Sequence, residues 1–202
     1  MKNIILTLLI FLFGLTTVQA QRVALTFNLS SFDIDQASAG NTTINYQGST
    51  SLLGNLRIFT DNKWAFRLGA GVDNLRYSVG DDITTNYSAV RQDVKGLVGL
   101  EKHFILGRWL DIYPGAYIPV TVTGDNIIQE NFDNISGGKI RPGIGVVLGA
   151  NIRVLKIFRV GVEFDASYDH FKEAVWESAQ NQSFVPIRGL NHSTAFTIGV
   201  AF

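Results

Sequence analysis

The stretch Ser193-Thr194-Ala195-Phe196-Thr197-Ile198-Gly199-Val200-Ala201-Phe202 alternates without a break. Thr194, Phe196, Ile198, Val200 and Phe202 fall on one side; Ser193, Ala195, Thr197, Gly199 and Ala201 fall on the other. A period of two residues is that of a β-strand, whose successive side chains point to opposite faces. Large apolar residues on one face and small or polar residues on the other mean two different surroundings.

Seven upstream segments repeat the pattern. The first sets Val23, Leu25, Phe27 and Leu29 against Arg22, Ala24, Thr26 and Asn28. The second sets Leu52, Leu56 and Ile58 against Asn55 and Arg57, and the third sets Phe66, Leu68, Ala70 and Val72 against Arg67, Gly69, Gly71 and Asp73. In the fourth, Val90, Val94, Val98 and Leu100 alternate with Arg91, Asp93, Lys95 and Glu101, with Leu97 intruding on the polar side. The fifth opposes Leu110, Ile112, Ala116, Ile118 and Val120 to Asp111, Tyr113, Gly115 and Tyr117. The sixth opposes Ile144, Val146, Leu148, Ala150 and Ile152 to Arg141, Gly143, Gly145, Asn151 and Arg153. The seventh opposes Val160, Val162, Phe164 and Ala166 to Arg159, Gly161, Glu163 and Asp165. A tilted strand needs roughly 9 to 11 residues to cross a bilayer core, and segments of that length exceed the soluble norm of about 5 to 6.

Eight such segments predict an all-β fold, an eight-stranded antiparallel up-and-down transmembrane barrel. The connections alternate too. Residues 31–49, 77–88, 122–138 and 169–190 are expected as long loops, and 60–63, 103–108 and 154–157 as short turns. Two unlike ends are the outer-membrane arrangement, with short turns in the periplasm and long loops outside.

Composition agrees with a membrane barrel. The 202 residues are 46% apolar and only 17% charged, oily for a soluble domain. The run Ile4 to Leu15 is too short for a spanning helix of about 20 residues. It follows Lys2 and ends in Thr16-Thr17-Val18-Gln19-Ala20, which reads as a signal peptide over 1–20, leaving a barrel domain over 21–202. Its removal takes away one basic residue and leaves a nearly neutral protein, without the electrostatic footprint of a nucleic-acid partner. Cysteine is absent, so no disulfide framework is available.

A soluble barrel with the apolar face inside is the competing architecture. Volume decides between them, because an eight-stranded interior is only just wide enough for side chains to fill. The face carrying Gly69, Gly71, Gly143, Gly145, Gly149, Gly161 and Gly199 is the one a narrow lumen accepts. The lumen is then expected to hold Arg57, Arg67, Arg91, Lys95, Arg141, Arg153 and Arg159 against Asp73, Asp93, Glu101, Asp111, Glu163, Asp165 and Asp169. Balanced signs point to an interlocked ion-pair network, since an isolated buried charge costs several kcal/mol. An ion-selective pore shows one sign in excess. Trp64, Trp109 and Phe158 beside the short turns, with Tyr77, Tyr87, Tyr117 and Tyr168 near the long loops, read as two interfacial aromatic girdles.

With its eight amphipathic strands and its final Phe202, the chain resembles the small outer-membrane barrels of the OmpA and OmpX type, most closely the barrel-only proteins of Bacteroidota. The resemblance implies that Phe196, Ile198, Val200 and Phe202 form the signal read by the barrel-assembly machinery. It also implies contact with outer-membrane lipid and lipopolysaccharide, and no peptidoglycan-binding domain after the barrel.

No catalytic, cofactor or metal site is expected. Gly143-Ile144-Gly145-Val146-Val147-Leu148-Gly149 misses the dinucleotide-loop spacing and lies within a strand. His192 and Ser193 are neighbours that point to opposite faces, and His103 and His170 lie elsewhere, so the histidines form no evident base or metal cluster. The aspartates Asp33, Asp35, Asp81, Asp82, Asp125 and Asp133 read as solvated loop charge rather than a calcium site. Apolar loop residues, Phe132, Phe171 and Trp176 among them, pack the loops on themselves or contact another outer-membrane protein or ligand, and Phe171 to Ala179 suits a short helix. The function expected is therefore non-enzymatic: a closed barrel presenting four extracellular loops for structural or partner interaction, as an accessory subunit of an outer-membrane complex. A narrow small-solute channel and a lipid-modifying enzyme are the alternatives.

Overall fold

The computed structural model describes residues 23–202 except 34–36, 40–41, 47–48, 81–84, 130–132, 134, 136, 155–156 and 179–180. At 32–33, 37–39, 42, 46, 85–86, 129, 169–178 and 181–190 it describes the backbone alone. The expected signal peptide over 1–20 lies outside the described residues, as do Asp35, Asp81, Asp82 and Phe132.

Among the described residues every regular element is a strand: β1 Val23–Asp33, β2 Ala37–Ala39, β3 Thr42–Tyr46, β4 Ser49–Phe59, β5 Trp64–Gly80, β6 Thr85–Lys102, β7 Phe104–Leu106, β8 Leu110–Val122, β9 Ile127–Gln129, β10 Ile140–Val154, β11 Phe158–Ser178 and β12 Asn181–Ala201. Eight of them are long and pair antiparallel in the order β1-β4-β5-β6-β8-β10-β11-β12. The sheet closes where β12 returns to β1, with Ala24 opposite Ala201 and Leu29 opposite Phe196. Closure leaves no unpaired edge within the bilayer, where an unsatisfied backbone group costs several kcal/mol.

The pleat sorts the side chains as the alternation requires. Phe27, Leu52, Phe66, Val98, Ile118, Leu148, Val162 and Phe196 are all about half exposed on the outer face. Arg57, Arg67, Asp93, Glu101, Asp111 and Glu163 are at most 2% exposed inside. A contiguous apolar belt around the whole barrel, over a polar interior, is a surface made for lipid.

Three expectations need correction. The first concerns the long loops, much of whose length is strand. β5 and β6 are joined through 81–84 alone, β11 and β12 through 179–180, and β2, β3 and β9 occupy the other two connections. The second concerns Phe171 to Ala179, which forms no helix over its described part. β11 continues to Ser178, with Phe171 opposite Ile187 and Trp176 opposite Gln182. A ready antiparallel partner satisfies that backbone, so local helix preference is overridden.

The third is the upper aromatic girdle. Tyr77, Tyr87 and Tyr117 are 0–3% exposed and face inward. Tyr117 shares the parity of Asp111 and Tyr113 on β8, and Tyr77 shares that of Asp73 on β5, so the pleat turns them into the lumen. Tyr168 does face outward, and at the other end so do Trp64, Trp109 and Phe158. There Lys102 lies over the Trp64 ring and Arg108 over the Trp109 ring, each 5.0 Å from the centroid.

Candidate functional site: a filled lumen

Three tiers of side chains stack along the barrel interior. The lowest is built on Arg57 of β4, Arg67 of β5, Glu101 of β6 and Glu163 of β11. Arg57 Nε donates to Glu101 Oε2 at 2.7 Å and its NH2 to Oε1 at 3.2 Å. The same NH2 donates to Glu163 Oε1, and NH1 donates to Thr26 Oγ1 at 2.6 Å. Arg67 reaches Glu101 Oε1 and Glu163 Oε2, both at 3.0 Å, and gives its Nε to Asn55 Oδ1 at 2.8 Å. The two guanidinium groups and two carboxylates thus form a closed ring in which every charge meets both of its opposites.

Neighbouring strands complete that ring. Tyr113 Oη donates to Glu163 Oε1 at 2.7 Å while its own ring lies 4.9 Å from the Arg57 guanidinium. Asn28 Nδ2 donates to Glu163 Oε2 at 2.5 Å. Six of the eight long strands supply a group: β1, β4, β5, β6, β8 and β11. Glycines make the room. A Cβ on Gly149, opposite Tyr113 in the register, would run into the Tyr113 ring, and one on Gly145 would run into that of Tyr117.

Beneath the ring lies His103, in the turn after β6. Its Nδ1 is 3.0 Å from Asp111 Oδ1 and its Nε2 is 3.3 Å from Glu101 Oε2. Arg159 NH1 donates to Asp111 Oδ2 at 3.1 Å. Burial pushes the His103 imidazole down, but its hydrogen bonds to Asp111 and Glu101 outweigh that and hold its pKa above the ordinary value.

The middle tier is apolar. Leu53, Leu97, Tyr117 and Val147 form one buried cluster. On β4, β6, β8 and β10 these residues stand between the lower charges and the upper ones, making a waist across the bore. The upper tier centres on Asp93, which pairs with Arg91 at 2.7 Å and with Arg141, and accepts the Gly124 N–H at 3.0 Å. Lys95 Nζ lies 4.0 Å from Asp73 Oδ2. Asp73, Asp93, Lys95, Arg141 and Asp165 line a polar cavity of about 50 Å³. That is room for a few water molecules and far below the roughly 300 Å³ or more of a typical ligand pocket.

The remaining expected site residues divide. Arg153 is half-buried opposite Arg159, and among the described residues it makes no ion pair. At Asp169, Phe171 and Trp176 only the backbone is described, all three on β11. Phe196, Ile198 and Phe202 face outward and Val200 is half-buried. His192 and Ser193 point apart, one exposed and one buried. Sequence reasoning did not find His103, Thr26, Asn28, Asn55 or Tyr113 as members of the network. Parity alone was the available signal, since all but His103 lie in a strand on its inward-facing side.

No family model matches the chain, and no curated protein sequence does. Solved structures do. The outer membrane protein OprG from Pseudomonas aeruginosa superposes with a TM-score of 0.68 at 14% identity, covering 91% of this chain and 96% of that one. A major outer membrane protein from Thermus thermophilus gives 0.64 at 12%, covering 91% and 100%. The outer membrane protein AlkL, solved in DMPC bilayers, gives 0.58 at 14%, covering 90% of each chain. At such identities the likeness speaks to fold, and together with the apolar belt and polar lumen it shows that this chain has the fold of the small eight-stranded outer-membrane β-barrels.

Proposed function

We propose that the protein is a closed, non-enzymatic barrel whose work is done by what it carries above the outer membrane. The observation that supports this reading is the filled lumen. The Arg57–Glu101–Arg67–Glu163 ring and the Leu53–Leu97–Tyr117–Val147 waist fill the lumen one above the other, the first with paired charges and the second with buried apolar side chains. A strand needs about 9 to 11 residues to cross the bilayer core, yet β11 and β12 have 21 each. Half of their length is therefore available to stand above the membrane, beside the β5–β6 hairpin with its 17 and 18 residues.

On this reading residues 1–20 direct export and 21–202 form the barrel. The outward Phe196, Ile198 and Phe202, with Val200, are read by the barrel-assembly machinery. The β11–β12 hairpin meets lipopolysaccharide or another outer-membrane protein in an assembly of which this barrel is an accessory part, and Phe132, Phe171 and Trp176 are the residues assigned to that contact.

The test is gentle purification from native outer membranes, with the protein lacking 171–185 as control. A stoichiometric partner present with the full chain and lost with the shortened one is the expected result. A full-length barrel that emerges alone, in the same state as the shortened form, overturns the partner role.

A further inference from the structure

His103 occupies the one position between β6 and β7, at the end of the lumen where the short turns lie, and is 1% exposed. Its Nδ1 lies 3.0 and 3.1 Å from the two oxygens of Asp111, and its Nε2 3.3 Å from Glu101. The ring stacks on Tyr113 at 4.7 Å and meets the Phe59 ring edge-on at 4.7 Å. Its backbone N–H donates to the Lys63 carbonyl at 2.8 Å, joining the first short turn to the second.

Both ring nitrogens therefore face carboxylates. An ionised carboxylate only accepts, and a neutral imidazole carries one N–H and one lone pair. A neutral His103 would turn its lone pair on one of the two carboxylates, in a place bulk water does not reach. Only the imidazolium satisfies both. Other charges face the site from every side. Arg57 and Arg67 hold Glu101 from β4 and β5, and Arg159 of β11 holds Asp111. Arg153 of β10 stands across from Arg159, and Lys102 flanks the turn with its Nζ on the Asn62 carbonyl. Those cations oppose a further positive charge. Even so, burial is outweighed by the hydrogen bonds to Asp111 and Glu101 and by their charges, and the His103 pKa stands above its ordinary value.

We propose that His103 is a proton-operated latch on the periplasmic mouth of the barrel: as imidazolium it ties the end of β6 to the β7–β8 hairpin through Glu101 and Asp111, and on losing its proton it lets go of one carboxylate and loosens that hairpin. The proposal does not depend on the surface role proposed above.

The experiment follows the full chain folded in phosphatidylcholine nanodiscs, with ¹⁵N-labelled histidine, from pH 5 to 9. His170→Gln and His192→Gln variants assign the His103 ring signals. The expected result is an imidazolium pattern at His103 that persists above pH of about 6.5, the ordinary imidazole value. Backbone relaxation at Gly107, Arg108 and Trp109 then reports faster motion with the same midpoint as the ring titration, and Asp111→Asn moves that midpoint down. A neutral tautomer at pH 6, or hairpin motion unchanged across the His103 titration, overturns the latch. Both of those readings come from the wild-type sequence at position 111, so they stand even if Asp111→Asn does not fold.

Discussion

Arg57 and Arg67 stand directly opposite each other on β4 and β5, two like charges in register at adjacent strands. Like charges so placed are destabilising, and the arrangement persists because each guanidinium reaches both Glu101 and Glu163. The carboxylates act as keystones.

Glu163 accepts from Arg57, Arg67, Asn28 and Tyr113 at once. Glu163→Leu leaves two buried guanidinium groups short of a counter-charge, and breaking a buried pair from one side costs about 3–5 kcal/mol. Reversible urea unfolding in lipid or detergent is expected to show a loss of that size. A loss under about 1 kcal/mol, typical of an exposed pair, would mean that water reaches the ring.

Tyr113 and Gly149 fit each other across β8 and β10. Gly149→Ala puts a methyl into the Tyr113 ring, and overpacking of this kind costs about 1–3 kcal/mol. Tyr113→Phe keeps the ring but removes a 2.7 Å hydrogen bond to Glu163, expected to cost about 1.5–3 kcal/mol because the acceptor is charged. In a Tyr113→Ala background the Gly149→Ala penalty is expected to disappear. A double-mutant cycle measures that coupling, and strict additivity would contradict the contact.

The His103 pKa is higher in the folded barrel than its ordinary value. A group of this kind contributes its full stabilisation below the unfolded value of about 6.5 and loses it as pH rises through the folded one. Urea midpoints are therefore expected to fall with rising pH in that window. His103→Phe is expected to be less stable than wild type at pH 6 and to show no such fall. A wild-type midpoint that rises from pH 6.5 to 9 is the opposite sign and rejects the assignment.

Within the bilayer the strands were legible because lipid on one side and a narrow lumen on the other impose the two-residue period. Thr194 to Phe202 and Arg67 to Asp73 read plainly for that reason. Beyond the bilayer both faces of a strand meet polar surroundings, the alternation fades, and Phe171 to Ala179 suits a helix although the backbone of 171–178 pairs with 181–187. Tyr77, Tyr87 and Tyr117 were misplaced by weighing their nearness to loops over their parity, which already assigned them to the lumen. The ion-pair partners were legible only as a balanced set of charges. Arg57 and Glu163 are 106 residues apart, and nothing in the order of the chain says which arginine a given carboxylate will hold. Leu97, an apolar residue on the polar side of β6, was a visible sign of the waist, and Leu53 and Val147 share the parity of the polar residues of their own strands.

Whether the bore is closed is decided by electrical recording of the purified wild-type barrel in a planar bilayer. With the Arg57–Glu101–Arg67–Glu163 ring and the Leu53–Leu97–Tyr117–Val147 waist in place, no steady ohmic current is expected at any salt concentration. A reproducible conductance that scales with salt would mean that water and ions pass both tiers, and would contradict the closed lumen.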